Sequence, residues 1–212
     1  MILQFRSRLS RQSAQVPWDL GSDEDFDALY PARWQAVSKR YWTPVAVASL
    51  AAAWLTEDPR LGPVLDIGSG VGKFCIVGAL GTGGEFVGVE QRGALVRASR
   101  ASAMSAGVSA RATFHHARAS MELLRRHSAF YLFNPFAENL YEADGRLDDR
   151  VELSDRRFTE DLQLVEEALS YAKLGTRVVT YHGFGGSLPS GFVLGRVERI
   201  GSDALCLWIR KR

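Results

Sequence analysis

The stretch "VLDIGSGVGKF", residues 64–74, decides how the rest of the chain is read. Its first residues form a short apolar run suited to a buried strand, and "GKFCIVGAL" continues as a helix. Gly68, Gly70 and Gly72 fall between the two, where the backbone must turn sharply and a ligand can approach without meeting a Cβ. The spacing is GxGxG, whereas the dinucleotide fingerprint is GxGxxG, so NAD is disfavoured. A phosphate-cradling P-loop is excluded as well, because Lys73 is followed by Phe74 instead of Ser or Thr and the loop is too short.

Reading outward, the pattern alternates. "EFVGVE" reads as a strand, "GALVRASRASAMSAG" as a helix stopped at Gly107, "ATFHH" as a third strand and "AFYLFNPF" as a fourth. A polar stretch over residues 137–155 reads as a loop with one helical turn. In the helix that follows, Phe158, Leu162, Val165, Leu169 and Ala172 recur at spacings of four and three, with Gly175 as its stop. "TRVVTYHGF" is a fifth strand, and the C-terminus reads as two strands around a turn at Gly201-Ser202, with Leu205, Leu207 and Ile209 alternating along the last. On the other side of the glycine turn, the run from Ser22 predicts short helices interrupted at Pro31. "TPVAVASLAAAWL" predicts a helix capped by Thr43, with Pro44 at its first position, that ends before Pro59. The first twenty or so residues lack periodicity and read as an arm. Strands alternating with helices imply an α/β three-layer sandwich around a mostly parallel sheet, and the closing hairpin implies one antiparallel strand.

Composition narrows the classes. The chain carries 26 basic and 24 acidic residues, a formal charge of +2, so no large electrostatic footprint points to nucleic acid or an anionic membrane. Arg6, Arg8 and Arg11 make the N-terminus basic, yet no apolar signal-peptide core follows them. The longest apolar run, residues 45–55, is too short to span a bilayer, and the expected location is the cytoplasm. Cys75 and Cys206 stand far apart with no CxxC or His/Cys cluster, which predicts two small buried hydrophobes and no metal site.

Glu90 ends "EFVGVE", 22 positions beyond Gly68, where an open α/β sheet places a carboxylate to accept hydrogen bonds from two ribose hydroxyls. With that residue on the page, "VLDIGSGVGKF", including Asp66, and "GVEQR" resemble the first and second motifs of the class I S-adenosyl-L-methionine-dependent methyltransferases. The resemblance implies a Rossmann-like sandwich with seven strands, mostly parallel and with the last antiparallel. It implies a methyltransferase domain over residues 43–212 preceded by an N-terminal arm and helical extension over residues 1–42, and S-adenosyl-L-methionine as cofactor. By that likeness the turn of Gly68, Ser69, Gly70 and Gly72 faces the amino-acid end of the cofactor, Asp66 organises the turn and the ammonium, Glu90 with neighbouring Gln91 holds the ribose, and Thr43 opens a helix beside it. Many relatives have Gly-Asp-Ala after the third strand, the acid meeting the adenine amino group. Here Ala117-Arg118-Ala119 stands there, so backbone around Arg118 and Ala119 is the expected substitute. His116 offers a stacking ring, although plain strand-end histidines are the simpler reading of His115 and His116.

The acceptor end is read from "FNPF". Amino-group methyltransferases that act on adenine or glutamine amides carry (Asp/Asn)-Pro-Pro-(Tyr/Phe) there, and this chain has a single proline. A weaker likeness is to the non-SET, disruptor-of-telomeric-silencing type lysine methyltransferases, which place Asn-Asn-Phe at this point. Both likenesses make Asn134 and Phe136 the expected catalytic pair. The expected reaction is methyl transfer to a nitrogen of a small-molecule acceptor, with a protein lysine or a non-catalytic cofactor-binding module as the alternatives and nucleic acid disfavoured by the charge. Tyr181 and His182 end the fifth strand and offer a base or a structural strand end. Trp34, Tyr41 and Trp42 offer core packing or an aromatic lid. The acidic residues from Glu138 to Asp155, among them Glu142, read as a solvated loop or as a rim suited to a cationic acceptor. Oligomeric state is not encoded in any of these features.

Overall fold

The structure is a computed structural model that describes residues 20–201 and 203–212. The arm with Arg6, Arg8 and Arg11 lies outside the described residues, as does Ser202 of the C-terminal turn. Three short helices, α1 (Asp23–Asp27), α2 (Ala32–Gln35) and α3 (Ser38–Tyr41), lead into α4 (Val45–Thr56). Then come β1 (Val64–Ile67), α5 (Lys73–Thr82), β2 (Phe86–Glu90), α6 (Gly93–Ser105), β3 (Ala112–His116), α7 (Met121–Arg125) and β4 (Ala129–Leu132). After a long loop, α8 (Asp155–Ser170), β5 (Arg177–Tyr181), β6 (Phe192–Ile200) and β7 (Asp203–Arg210) complete the chain.

The strands form one seven-stranded sheet in the order β3-β2-β1-β4-β5-β7-β6. The pairs among β1 to β5 are all parallel, and β7 runs antiparallel between β5 and β6. Both faces are buried, as the apolar strands require. Along β1, β4 and β5 alternate side chains serve alternate cores. Val64, Ala129, Tyr131 and Val179 join α4, α5 and α6 on one face, while Leu65, Ile67, Phe130, Leu132 and Val178 join α7 and α8 on the other. Phe26, Tyr30, Trp34 and Trp42, from α1 to α3 and the turns between them, belong to the first of these cores.

Four local expectations are corrected. Thr43 does not cap α4: Pro44 holds that place, and the free N–H of Val45 is satisfied by the Asp23 carboxylate at 2.9 Å, while the Thr43 hydroxyl pairs with the Tyr131 hydroxyl at 3.1 Å. β4 stops at Leu132, because Asn134 adopts a left-handed φ of 42° that no strand accommodates, so "FNPF" is a turn. Gly175 lies beyond the C-cap Tyr171 of α8 and donates its N–H to Arg210, which makes it the entrance to β5. The loop before α8 has two 3-10 turns, Ala137–Leu140 and Ala143–Gly145, where one helical turn was expected. Short α7, with Ser120 as its N-cap, is an element the periodicity did not reveal. Cys75 is fully buried as expected, and Cys206 only partly so.

Candidate active site

β1, β2 and β4 run parallel and end at the same edge of the sheet, and their turns enclose a cleft of about 350 Å³. Open α/β sheets bind their ligands at this edge. Gly68, Gly70, Glu90, Gln91, Arg118, Ala119, Asn134 and Phe136 all border the cleft. Thr43, Asp66 and Ser69 border a smaller cavity of about 30 Å³, which Gly68, Trp42 and Phe133 share with the cleft. The expected site residues are thus brought to one edge, apart from Gly72. Its left-handed φ of 78° caps α5, and a Cβ there would run into the ring of Phe114 at 2.5 Å, so its place is in core packing. Gly70, with φ of 56°, is covered from outside: a Cβ would lie 2.5 Å from the ring of Trp42.

Glu90 is the electrostatic centre. It is 7% exposed at the end of β2, with one carboxylate oxygen accepting the Arg92 N–H at 2.7 Å and the other the Gly70 N–H at 3.2 Å. Burial pushes its pKa up, against the opposing pull of those two amides and of the Arg92 charge. A carboxylate offers about four lone-pair sites, so two remain for a ligand. Asp66 is also buried, and among the described residues its one hydrogen bond is a weak one from the Cys75 thiol at 3.6 Å. Burial, with the nearby Glu90 adding to it, holds the Asp66 carboxyl well above the usual range despite that thiol. A buried carboxyl without a charged partner, beside a small polar cavity, is suited to a cation that enters it. Ser69 adds a buried hydroxyl with no hydrogen-bond partner among the described residues.

The opposite wall comes from the turn after β4. The Asn134 N–H donates to Gly183 at 3.0 Å, its carbonyl accepts from Ala137, and its carboxamide makes no hydrogen bond among the described residues, leaving it free towards the cleft. Pro135 packs against Gly68, where a Cβ would come within 3.2 Å of it. Phe136 is 7% exposed and packs with Leu65, Val89 and Leu132, so the ring shapes the wall from within the core. On the third side, Arg118 pairs with Asp161 of α8 at 2.7 Å, and both border the cleft. The His116 imidazole turns away to hydrogen-bond the Gln91 carbonyl at 3.0 Å, and neither His115 nor His116 borders the cleft. Trp34 and Trp42 are core residues joined by a hydrogen bond from the Trp42 indole to the Trp34 carbonyl, while half-buried Tyr41 reaches the Gly145 carbonyl across the cleft mouth.

Sequence reasoning missed two clasps. Lys73, 2% exposed, is held by Asp23 at 2.6 Å and Asp27 at 2.7 Å. Arg92, 5% exposed, makes a two-pronged pair with Glu138 at 2.8 and 2.9 Å and a third bond to Asp148 at 2.8 Å. Glu138 and Asp148 are therefore not free acids on an open rim: both are engaged by Arg92, whose single charge offsets one of their two. The only signal that could have found the second clasp is an arginine placed two residues after the strand-end acid.

No family model matches the chain, and no curated protein sequence is significantly similar to it. Solved structures are similar. An RNA methyltransferase from Salinibacter ruber in complex with S-adenosyl-L-homocysteine has a TM-score of 0.56 at 20% identity over 80% of this chain and 93% of that one. The chain has the class I methyltransferase fold. A magnesium protoporphyrin IX methyltransferase from Synechocystis PCC 6803 with bound S-adenosylmethionine extends the likeness to 92% of this chain and 100% of that one, with a TM-score of 0.51 at 15% identity. The acceptors named for these two proteins differ, so the likeness carries the fold alone. Among the described residues no helix is long and apolar enough to cross a membrane.

Proposed function

We propose that this protein is an S-adenosyl-L-methionine-dependent methyltransferase that transfers its methyl group to a nitrogen of a small-molecule acceptor. The observation that carries the reading is Glu90, a buried carboxylate backed by two amides and open to a cleft of about 350 Å³ at the carboxyl edge of the sheet. Its two remaining lone-pair sites suit a ribose diol. Asp66, buried beside the small cavity and without a charged partner among the described residues, suits the ammonium of the cofactor's amino-acid end. Backbone around Gln91, Arg118 and Ala119 borders the side left for the adenine. When bound, the cofactor supplies a sulfonium methyl that is already activated, so the protein's task is alignment and proton handling.

The carboxamide of cleft-lining Asn134, without a hydrogen bond among the described residues, would hold an amino group by accepting from its N–H. Its left-handed backbone is kept in place by the hydrogen bond to Gly183, which fixes the direction in which the side chain points. The near-neutral net charge favours a small acceptor over one gripped through phosphates.

The test is incubation of the purified protein with methyl-labelled cofactor and a cell extract split into small-molecule, protein and nucleic-acid fractions. Label in the small-molecule fraction is expected. Label confined to protein would favour the protein-lysine alternative over the small molecule, and label confined to nucleic acid would overturn the acceptor class.

A further inference from the structure

Among the described residues, two that are not glycine have left-handed backbones: Asn134 with φ of 42° and His182 with φ of 56°. Both border the cleft, and the carbonyl of Gly183, the residue after His182, accepts the Asn134 N–H at 3.0 Å. Strained residues persist where the surroundings hold them, and they gather at functional sites. His182 stands one residue beyond β5, and its Nδ1 lies 2.8 Å from Oδ2 of Asp203 at the start of β7. An ionised carboxylate can only accept, so neutral His182 carries its proton on Nδ1 and keeps a lone pair on Nε2. That Nε2 has no hydrogen bond among the described residues. The rings of Phe133 and Tyr181 flank the imidazole at 5.6 and 4.4 Å and limit how far it can swing. Asp203 is the charged group facing it. The Tyr181 hydroxyl is turned away to the Ile200 carbonyl, and the Cys206 thiol, beside Asp203, is pushed up by burial and by that carboxylate.

We propose that His182, positioned by Asp203, is the base that removes the proton released on methyl transfer, and that the acceptor is accordingly a neutral, planar amino group. The proposal rests on the methyltransferase reading. The acceptor nitrogen's lone pair forms the bond to the methyl carbon as the carbon–sulfur bond breaks, its electron pair staying on sulfur, and the N–H proton of the resulting cation passes to Nε2 of His182 and on to water. For an aromatic or amide-like amine, whose methylated cation is a stronger acid than imidazolium, this transfer runs downhill. An alkyl ammonium of the lysine kind holds its proton about 10⁴-fold more tightly than imidazolium, judged from the reference pKa values. The amino group of a nucleobase and that of a small aromatic amine share the required chemistry, and the fraction that takes up label separates them.

The test uses the full chain labelled with ¹⁵N-histidine, with the His182 signals assigned through His182→Asn, a replacement that tolerates a left-handed φ. The expected neutral form is protonated on Nδ1, its Nε2 signal moves on addition of S-adenosylhomocysteine, and Asp203→Asn abolishes the preference for that tautomer. Calorimetry should find S-adenosylhomocysteine affinity unchanged in both variants. With methyl-labelled cofactor and the fractionated extract, His182→Asn should lower the rate by about 10²-fold or more and flatten the acid side of the pH–rate profile. A neutral form protonated on Nε2, an Nε2 signal indifferent to S-adenosylhomocysteine, an undiminished rate in His182→Asn, or label on lysine side chains would each overturn the proposal. So would a wild type that binds S-adenosylhomocysteine and labels no fraction. A wild type that fails to bind S-adenosylhomocysteine would remove the methyltransferase reading itself, which keeps the two failures apart.

Discussion

Lys73, the first residue of α5, and Arg92, two residues after β2, are both buried cations clasped by two carboxylates, yet the clasps do different work. Lys73 is a compact ammonium shared by Asp23 and Asp27, which lie one turn apart on or beside a single face of α1, so it pins the N-terminal helices onto the start of α5. Arg92 is a planar fork whose prongs read two separate places in the loop after β4, Glu138 and Asp148, while its own N–H supports Glu90. The first clasp is a fastening within one core. The second ties Glu90 to the loop after β4 that walls the cleft. An ammonium suffices where only charge has to be matched, and a guanidinium is needed where direction matters.

Breaking the clasps one at a time measures that difference. Lys73→Met leaves Asp27, only 10% exposed, without its counter-ion, and should cost about 3–5 kcal/mol of stability in denaturant unfolding. Arg92→Lys keeps the charge and loses the fork, and because Glu138 and Asp148 are 17% and 20% exposed they can recover water; the loss should be about 1.5–3 kcal/mol. The same Arg92→Lys change retains the backbone bond to Glu90, so affinity for S-adenosylhomocysteine should hold. If the order of the two losses is reversed, the fork matters more to the fold than the buried ammonium does, and the contrast drawn here is wrong.

The two regions also differ in how far the sequence discloses them. The glycine turn, the strand-end Glu90 and the alternating cores are local demands: a left-handed φ, a carboxylate at a fixed offset, a period of two or of 3.6. Each leaves a mark within a few residues, and the seven-stranded sheet could be read from such marks. The partners of the clasps are 46 to 56 residues away in the chain. Nothing local distinguishes Glu138, which Arg92 binds, from Glu142, and so the acidic run read as a solvated loop or a rim, with no partner for either residue. Asp23 stands in the first turn of α1 and also serves as a counter-ion for Lys73 and an acceptor for the Val45 N–H at the start of α4, roles no local pattern marks. The pairing of His182 with Asp203 is likewise made only when β7 inserts beside β5.

The central claim is that Glu90 holds the cofactor, and calorimetry of S-adenosylhomocysteine against wild type, Glu90→Gln and Glu90→Ala over a range of pH tests it most directly. The charged carboxylate accepts from the ribose and the protonated one accepts poorly, so affinity should be full above the pKa of Glu90 and fall as the pH drops through it. Because burial raises that pKa, the fall should begin at a higher pH than an exposed glutamate would give. At neutral pH Glu90→Ala should weaken binding by about 1.5–3 kcal/mol, and Glu90→Gln should bind weakly with no such dependence. Binding by Glu90→Ala as tight as by wild type, or no binding by wild type at millimolar S-adenosylhomocysteine, would contradict the account.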